Sequence, residues 1–447
     1  MKILIAGAGE VGTHLAKLLS TENHDIVLLD NDHKRLEFAH DDNFDIMPVL
    51  GNPTSMKALA MAGAGEAELF ISVTPEESMN VVACILASKL GAKKTMARIN
   101  NNEYLQPDKK AFLASLGIDD MVYPELLAAK EIASGLKLPW TRQYWSLFDG
   151  KLDLIAVKIE PHSRLVGRHL YELGDLETKL FHIVAVRRLY HTIIPTGADI
   201  IQAGDIVFFT CAPEDKDTVR QFCGKEDIQV KKVFIMGGSR IALRAAELLP
   251  SDFKIKIIEL DHDHCKRLID AAPSNVMVIN GDARDPRLLK EEGIELSQAF
   301  LALTANSEAN MLATVAAKRM GVYRTVARIE NIDYLDIAVQ MDIGNLINKK
   351  LLAAASIFRH LLNIDVTNVK CLSIGQADVL EVVATPASKI TKAPVKDLKL
   401  PKGITLGGLL REGQAILIDG NTVIRPKDVV MIFCVDTPMS RIRSLFA

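Results

Sequence analysis

The chain has 447 residues, 49% hydrophobic and 24% charged, with a formal net charge of -3. That length exceeds what a single core serves, so roughly two to four domains are expected. The near-neutral charge and an aromatic content of only 5% exclude any electrostatic or stacking reason to expect DNA or RNA as a partner.

The chain opens directly into an aliphatic run, Lys2–Ala6, which leaves no room for a signal peptide. No apolar stretch approaches the roughly 18 to 20 residues that span a bilayer, so work at a membrane would be done by docking on something embedded there. Cys84, Cys211, Cys223, Cys265, Cys371 and Cys434 are scattered without a C-x-x-C pair, which reads as reduced thiols in a cytoplasmic protein.

Short aliphatic runs predict strands at Lys2–Ala6, Asp25–Asp30, Asp45–Val49, Leu69–Val73, Thr95–Ile99 and Met121–Tyr123, with helices such as Val11–Leu19 and Met79–Leu90 between them. This alternation predicts an α/β fold, a doubly wound parallel sheet of Rossmann type. From about Leu152 the texture changes to short β-like runs at Leu154–Val157, Ile183–Val186 and Ile206–Phe209, with turn chemistry over Ile194–Asp199. A polar connector, Gly224–Asp227, leads to a second strand start at Val233, and the plan repeats. Ala97-Arg98-Ile99 returns as Ala327-Arg328-Ile329, Tyr104-Leu105 as Tyr334-Leu335, and Gly91, Thr74 and Asn80 as Gly321, Thr304 and Asn310. The expected order is a nucleotide half at 1–140, a small α+β module at 141–228, a second nucleotide half at 231–365 and a second small module at 366–447. Leu126–Ala129 and Leu351–Ala354 open apolar helices late in each nucleotide half. Core helices are the default, and their position also suits crossovers that pack on a neighbouring subunit.

Gly7-Ala8-Gly9-Glu10-Val11-Gly12 fits G-x-G-x-x-G between a strand and a helix. The first glycine permits a tight turn, the second admits a phosphate, and the third lets the helix pack on the sheet with its N–H groups aimed at the ligand. Asp30 closes the second strand 18 residues after Gly12, where a carboxylate would hold ribose hydroxyls. Asn31 and Asp32 follow, and no arginine is evident nearby, which disfavours a 2′-phosphate and hence NADP. Gly51-Asn52, Thr74, Glu77, Asn80 and Arg98 fall at the carboxyl ends of later strands and should line the same crevice. Each has a bland reading: Thr74 and Asn80 as helix caps, Arg98 in a structural ion pair.

The second copy is degenerate. Gly237-Gly238-Ser239-Arg240-Ile241-Ala242 has serine at the middle glycine and alanine at the last, so Ser239 adds a Cβ where a phosphate needs room. Glu259 replaces the strand-end aspartate, Gly281-Asp282 matches Gly51-Asn52, and Thr304 and Arg328 return. Arg240 reverses the charge of Glu10, so this site would take a different or more anionic ligand, or stand empty. Asp261-His262-Asp263-His264-Cys265 invites a metal reading, but with no distant ligand set a polar turn leading into a helix over Lys266–Ala271 is the expectation.

The glycine loop, Asp30, Gly51-Asn52, the Ala-Arg-Ile repeat and the duplication together resemble the TrkA family, peripheral regulatory subunits of Trk-type potassium uptake systems built from RCK (KTN) domains. The resemblance covers essentially the whole chain. It implies two Rossmann-like domains, each followed by a small RCK-C module, assembled as a homo-dimer or tetramer into an RCK ring. It further implies docking on an integral-membrane, TrkH/TrkG-like potassium-translocating subunit at the cytoplasmic face of the inner membrane. NAD(H), and ATP or ADP, would be the ligands, with Asp30 on ribose, Gly7, Gly9 and Gly12 at the phosphates and Arg98 a phosphate contact. A regulator without catalysis is thus expected. Two alternatives stay open: an NAD-dependent oxidoreductase, against which small modules lacking a convergent acid/base set argue, and an RCK regulator of another cation channel or antiporter.

Overall fold

The computed structural model describes residues 1–20, 24–40, 44–175, 180–189, 191–358, 366–371, 377–435, 437 and 439–446. Residues 1–127 together with 349–357 form one compact unit, and 128–348 with 358–447 form a second.

In the first unit, six parallel strands stand in the order β3-β2-β1-β4-β5-β6, where β1 is Lys2–Ala6, β2 Asp25–Asp30, β3 Ile46–Leu50, β4 Leu69–Ser72, β5 Thr95–Arg98 and β6 Asp120–Val122. The order reverses between β1 and β4, which opens a crevice at the strands' carboxyl ends. Strands covered on both faces need apolar side chains throughout, and Ile3, Leu4 and Ile5 are accordingly buried. The expected strands match the observed ones to within a residue at either end. The helices Glu10–Ser20 and Glu77–Leu90 each begin earlier than their apolar stripes, because polar first-turn residues carry no periodicity.

The helix Lys349–Phe358 packs far from its place in the sequence. Most of it belongs to the first unit, more than 200 residues away in sequence. Within the chain, the neighbour this crossover finds is the first nucleotide half. Lys349 approaches Glu125 at 3.4 Å and Lys350 approaches Glu10 at 3.7 Å.

The second unit holds three sheets. A second parallel sheet, β14-β13-β12-β15-β16-β17, repeats the first: β12 Lys232–Met236, β13 Lys254–Glu259, β14 Val276–Asn280, β15 Ala299–Ala302, β16 Arg324–Arg328 and β17 Asn345–Ile347. Beside it are two antiparallel five-stranded sheets. One is β10-β9-β11-β8-β7, formed by β7 Gln143–Leu147, β8 Leu152–Lys158, β9 Phe181–Arg188, β10 His191–Ile193 and β11 Ile206–Cys211. The other is β18-β19-β22-β20-β21, formed by β18 Val366–Cys371, β19 Ala377–Val383, β20 Ile404–Arg411, β21 Gln414–Leu417 and β22 Val429–Val435. These two sheets share a core in which Phe208 meets Phe433 edge-on at 5.3 Å. Thr210 Oγ1 donates to the Gly407 carbonyl at 2.8 Å across it.

The two small modules carry the same internal lock. Arg188 forks onto Asp205 at 2.9 and 2.7 Å, and Arg411 forks onto Asp428 at 3.0 and 2.6 Å. Each carboxylate also accepts a turn N–H, from Gln202 or Arg425. Both aspartates are buried, so the bidentate pairing offsets their desolvation.

Candidate nucleotide clefts

The turn between β1 and its helix depends on Gly7, whose φ of +106° lies in the left-handed region. A Cβ on Gly12 would collide with the Gly7 carbonyl, so the helix can sit this close to the turn only with glycine there. A Cβ on Gly9 would meet nothing within 4 Å, so the space above the loop is open. Val11 and Ala8 turn their side chains into the core, leaving only their main chain for a ligand.

Asp30 is 4% exposed and ties this loop to the next one. Its Oδ2 accepts Ala8 N–H at 2.6 Å and its Oδ1 accepts Asp32 N–H at 2.8 Å. Asp32 caps a short helix through Lys34 N–H, while Asn31 is exposed. The expectation that no arginine stands near needs correcting. Arg35 lies 4.0 Å from Asp30 and 3.5 Å from Asp32, returned by the helical turn His33–Leu36. Gly51 N–H donates to the Asp30 carbonyl at 2.9 Å, and the Asn52 side chain closes a local turn on Thr54.

Thr74, Asn80, Glu77 and Arg98 are brought together, but largely by one another. Asn80 is fully buried. Its Oδ1 accepts from Thr74 N–H at 2.8 Å, Thr74 Oγ1 at 2.7 Å and Ser72 Oγ at 2.9 Å. Its amide donates to the Thr74 carbonyl at 3.0 Å and the Arg98 carbonyl at 2.9 Å. Asn80 is thus neither a helix cap nor exposed to a ligand; it is a clamp joining the ends of β4 and β5. Glu77 accepts from Asn100 N–H and, at 2.7 Å, from Asn101 N–H, which holds the loop after β5. Arg98 pairs with Glu125 at 3.3 Å, and both side chains are mostly buried, the geometry of a structural ion pair.

The second copy reproduces this geometry. Glu259 Oε2 accepts Gly238 N–H at 2.6 Å and Oε1 accepts Asp261 N–H at 3.0 Å. Asn310 clamps Thr304 and the Arg328 carbonyl with the same four partners as Asn80, lacking only the serine hydroxyl. Ser239 does more than add bulk: its hydroxyl accepts Ala242 N–H at 3.4 Å and caps the helix Arg240–Leu248. Ile241 is buried in the core and Arg240 is exposed. A cleft of ≈ 460 Å³ is lined by Gly237, Gly238, Ser239, Glu259, Gly281, Asp282, Thr304 and Arg328. Arg284 and His264 also line it and were not anticipated. Arg284 forks onto Asp282 and lowers its pKa. Arg328 pairs with Glu330. Asp261 N-caps a helix that already begins at His262, four residues before the expected Lys266, so its neighbours are first-turn residues. No group of three or more metal-ligating side chains occurs among the described residues.

One contributor to the first cleft was invisible in sequence. Lys350, from the crossover helix, stands 3.7 Å from Glu10 of the glycine loop. Burial, then Lys350 and Lys17, push the nearby His14 imidazole below its ordinary value.

Comparison with known proteins agrees with the architecture. The TrkA-N domain model matches residues 3–124 and 233–349, and the TrkA-C domain model matches 154–224 and 379–447. The Trk system potassium uptake protein TrkA of Haemophilus influenzae is 33% identical over 445 residues, 98% of this chain and 96% of that protein. Its Vibrio alginolyticus counterpart is 31% identical, covering 100% of this chain and 98% of that one. Among solved structures, the GsuK RCK domain superposes with a TM-score of 0.62 at 16% identity, covering 100% of this chain and 94% of that one. The GsuK channel bound to NAD gives 0.60 at 16% (99% and 78%), and GsuK bound to ADP gives 0.50 at 15% (80% and 69%).

Paired Rossmann-like sheets, each with a glycine loop and strand-end carboxylate and each followed by an antiparallel module, define a duplicated TrkA-N/TrkA-C protein with the fold of the GsuK RCK domain. Its two halves match family models at both module types, and whole-length relatives share about a third of its residues. The chain belongs to the TrkA family.

Proposed function

We propose that the chain is a cytoplasmic, nucleotide-binding regulatory subunit of a Trk-type potassium uptake system, working as a gate and not as an enzyme. The observation that carries this reading is similarity to named potassium uptake proteins along 98% of the chain. With it go the division into nucleotide halves at 1–140 and 231–365 and small modules at 141–228 and 366–447, assembly into an RCK ring, and docking on a potassium-translocating membrane subunit.

NAD(H) is the proposed ligand, with ATP or ADP as a second class; the GsuK neighbours bound to NAD and to ADP support the pairing of fold and ligand. Asp30 would take ribose hydroxyls, trading its bond from Ala8 N–H for ligand contacts. The open space over Gly9 would receive phosphates at the start of the helix Glu10–Ser20. Gly51, Asn52 and Thr74 would border the base and ribose, while Asn80, Glu77 and Arg98 would act by holding these loops in place. In the second cleft, Glu259, Gly238, Asp282, Thr304 and Arg328 would play the matching parts.

Regulation requires that a ligand distinguish two conformations. Lys350 offers a route: phosphates over the glycine loop would compete with Glu10 for it and so load the crossover helix. Calorimetric titration of NADH, NAD⁺, ATP and ADP into wild type and Asp30→Asn tests the site. The isosteric variant should bind at least about tenfold more weakly, the worth of one charge-assisted hydrogen bond. Unchanged affinity for all four would refute it. Potassium uptake in a deletion strain, with and without the chain, tests the gate, and steady NADH turnover on carbonyl substrates would overturn it.

A further inference from the structure

Within the second unit, the first small module meets the second nucleotide half across a cleft of ≈ 210 Å³ lined by Arg142, Lys158, Arg187 and Asp342, among others. Arg142 precedes β7, Lys158 ends β8, and Arg187 lies near the end of β9. Opposite them, Asp342 sits in the turn after the helix Tyr334–Gln340.

The charges do not balance. Asp342 is shared by Arg142, by Lys158 at 3.1 Å and by Lys318 at 2.6 Å. Arg187 is 3% exposed; its Nη2 reaches Asp336 at 2.6 Å, yet its Nε is buried without a hydrogen-bond partner. Behind them Arg324 gives Nη1 to the carbonyls of Pro139 and Thr141 and has no acceptor for Nε or Nη2. Burial, with Arg142 adding to it, pushes the Arg324 guanidinium down to about 9. Glu160, also near, is held by Lys225. Five cations therefore face two carboxylates, Asp336 and Asp342, among the described residues. Uncompensated buried charge is costly, and guanidinium N–H groups left without acceptors add to that cost.

The duplication supplies a control. Lys158 pairs in register with Ile206, as Val383 pairs with Val429, each next to the aspartate of the module's lock. Arg187 precedes Arg188 as Leu410 precedes Arg411. Lys318 lies three residues before Gly321, as Ser88 does before Gly91, and the turn bonds of Asp342 are those of Gly117. The repeat thus builds the same modules with Val383, Leu410, Ser88 and Gly117 where this cleft has three cations and a carboxylate. The module and turn backbones form without these four charges in the repeat.

We propose that this cleft binds a small multivalent oxyanion of the phosphate or pyrophosphate class, gripped by Arg142, Lys158 and Arg187. The forked guanidinium of Arg187, with a free buried N–H, suits an oxyanion edge better than a point ligand.

The test titrates inorganic pyrophosphate and, separately, phosphate into the full chain by calorimetry. Wild type is compared with K158V/R187L, which installs the repeat's own residues, and with Asp342→Asn, which removes the internal counter-ion at a left-handed position that asparagine tolerates. Binding at the glycine loops is common to all three and cancels in the comparison. The double variant should lose affinity by about tenfold or more for each cation removed, and Asp342→Asn should gain it. Equal binding by wild type and the double variant, or no binding by wild type, overturns the proposal. Should the double variant fail to fold, Arg187→Gln and Asp342→Asn decide: weaker and tighter binding respectively support the site, and no change in either sinks it.

Discussion

Replacing Asn80 by alanine should loosen the carboxyl ends of β4 and β5 while leaving the rest of the chain intact. The side chain is the partner of three main-chain groups: Thr74 N–H, the Thr74 carbonyl and the Arg98 carbonyl. It also serves two hydroxyls that can turn elsewhere, Thr74 Oγ1 already lying 3.2 Å from the Glu76 carbonyl. Stranding each buried main-chain group costs at least about 1 kcal/mol, so the local loss is about 3 kcal/mol. Hydrogen exchange with mass-spectrometric readout on the full chain is the suitable assay, since several domains make a single unfolding free energy ill-defined. Amides of β4 and β5 should exchange roughly a hundredfold faster, as about 3 kcal/mol implies. Asn310→Ala should do the same to β15 and β16 alone, and slightly less, because Ala302 stands where Ser72 donates. Unchanged exchange at β4 and β5, or equal acceleration in both halves from either variant, would refute the clamp.

Further outcomes follow from the same geometry. Gly9→Ala should leave thermal stability unchanged and weaken dinucleotide binding, because its Cβ meets no protein atom; Gly12→Ala should lower both, as its Cβ strikes the Gly7 carbonyl. Scanning calorimetry with a parallel binding titration separates the two. Burial alone would raise the Asp342 pKa, but Arg142, Lys318 and Lys158 bring it to about 2 from 3.8. A carboxylate depressed in the folded state adds stability above its unfolded pKa and loses it as pH falls through the folded one. Wild type should therefore exceed Asp342→Asn by about 1 kcal/mol near neutral pH, after discounting for a third-exposed side chain. That margin should vanish between about pH 4 and pH 2, read from local hydrogen exchange over residues 334–343. Glu259→Gln should weaken ligand binding at the second cleft alone, leaving an Asp30-dependent site in the titration.

The parallel sheets were readable because strands buried on both faces must be apolar throughout, as Ile3-Leu4-Ile5 and Val233-Phe234-Ile235 are. Asp30 and Glu259 were readable because a strand end fixes where a short carboxylate points. What escaped was who satisfies whom. Repetition of Thr74 and Asn80 signalled a shared role, but not that the amide turns inward to knit two loops. Arg35 was missed because a helical turn, not sequence adjacency, returns it to Asp30. Lys350 left no trace: only tertiary packing carries a residue from the second half to Glu10. The five cations around the cleft between the first small module and the second nucleotide half lie on five separate segments, each unremarkable alone.

The helix at 349–357 has a consequence for anyone cutting the gene. A cleavage at the polar linker near Gly224 looks natural, yet it strips the leading piece of a helix that belongs to its own compact unit, and leaves that helix stranded on the trailing piece. Expressed apart, the two polypeptides should be poor on their own and should find each other when mixed, like garments sewn from one another's cloth.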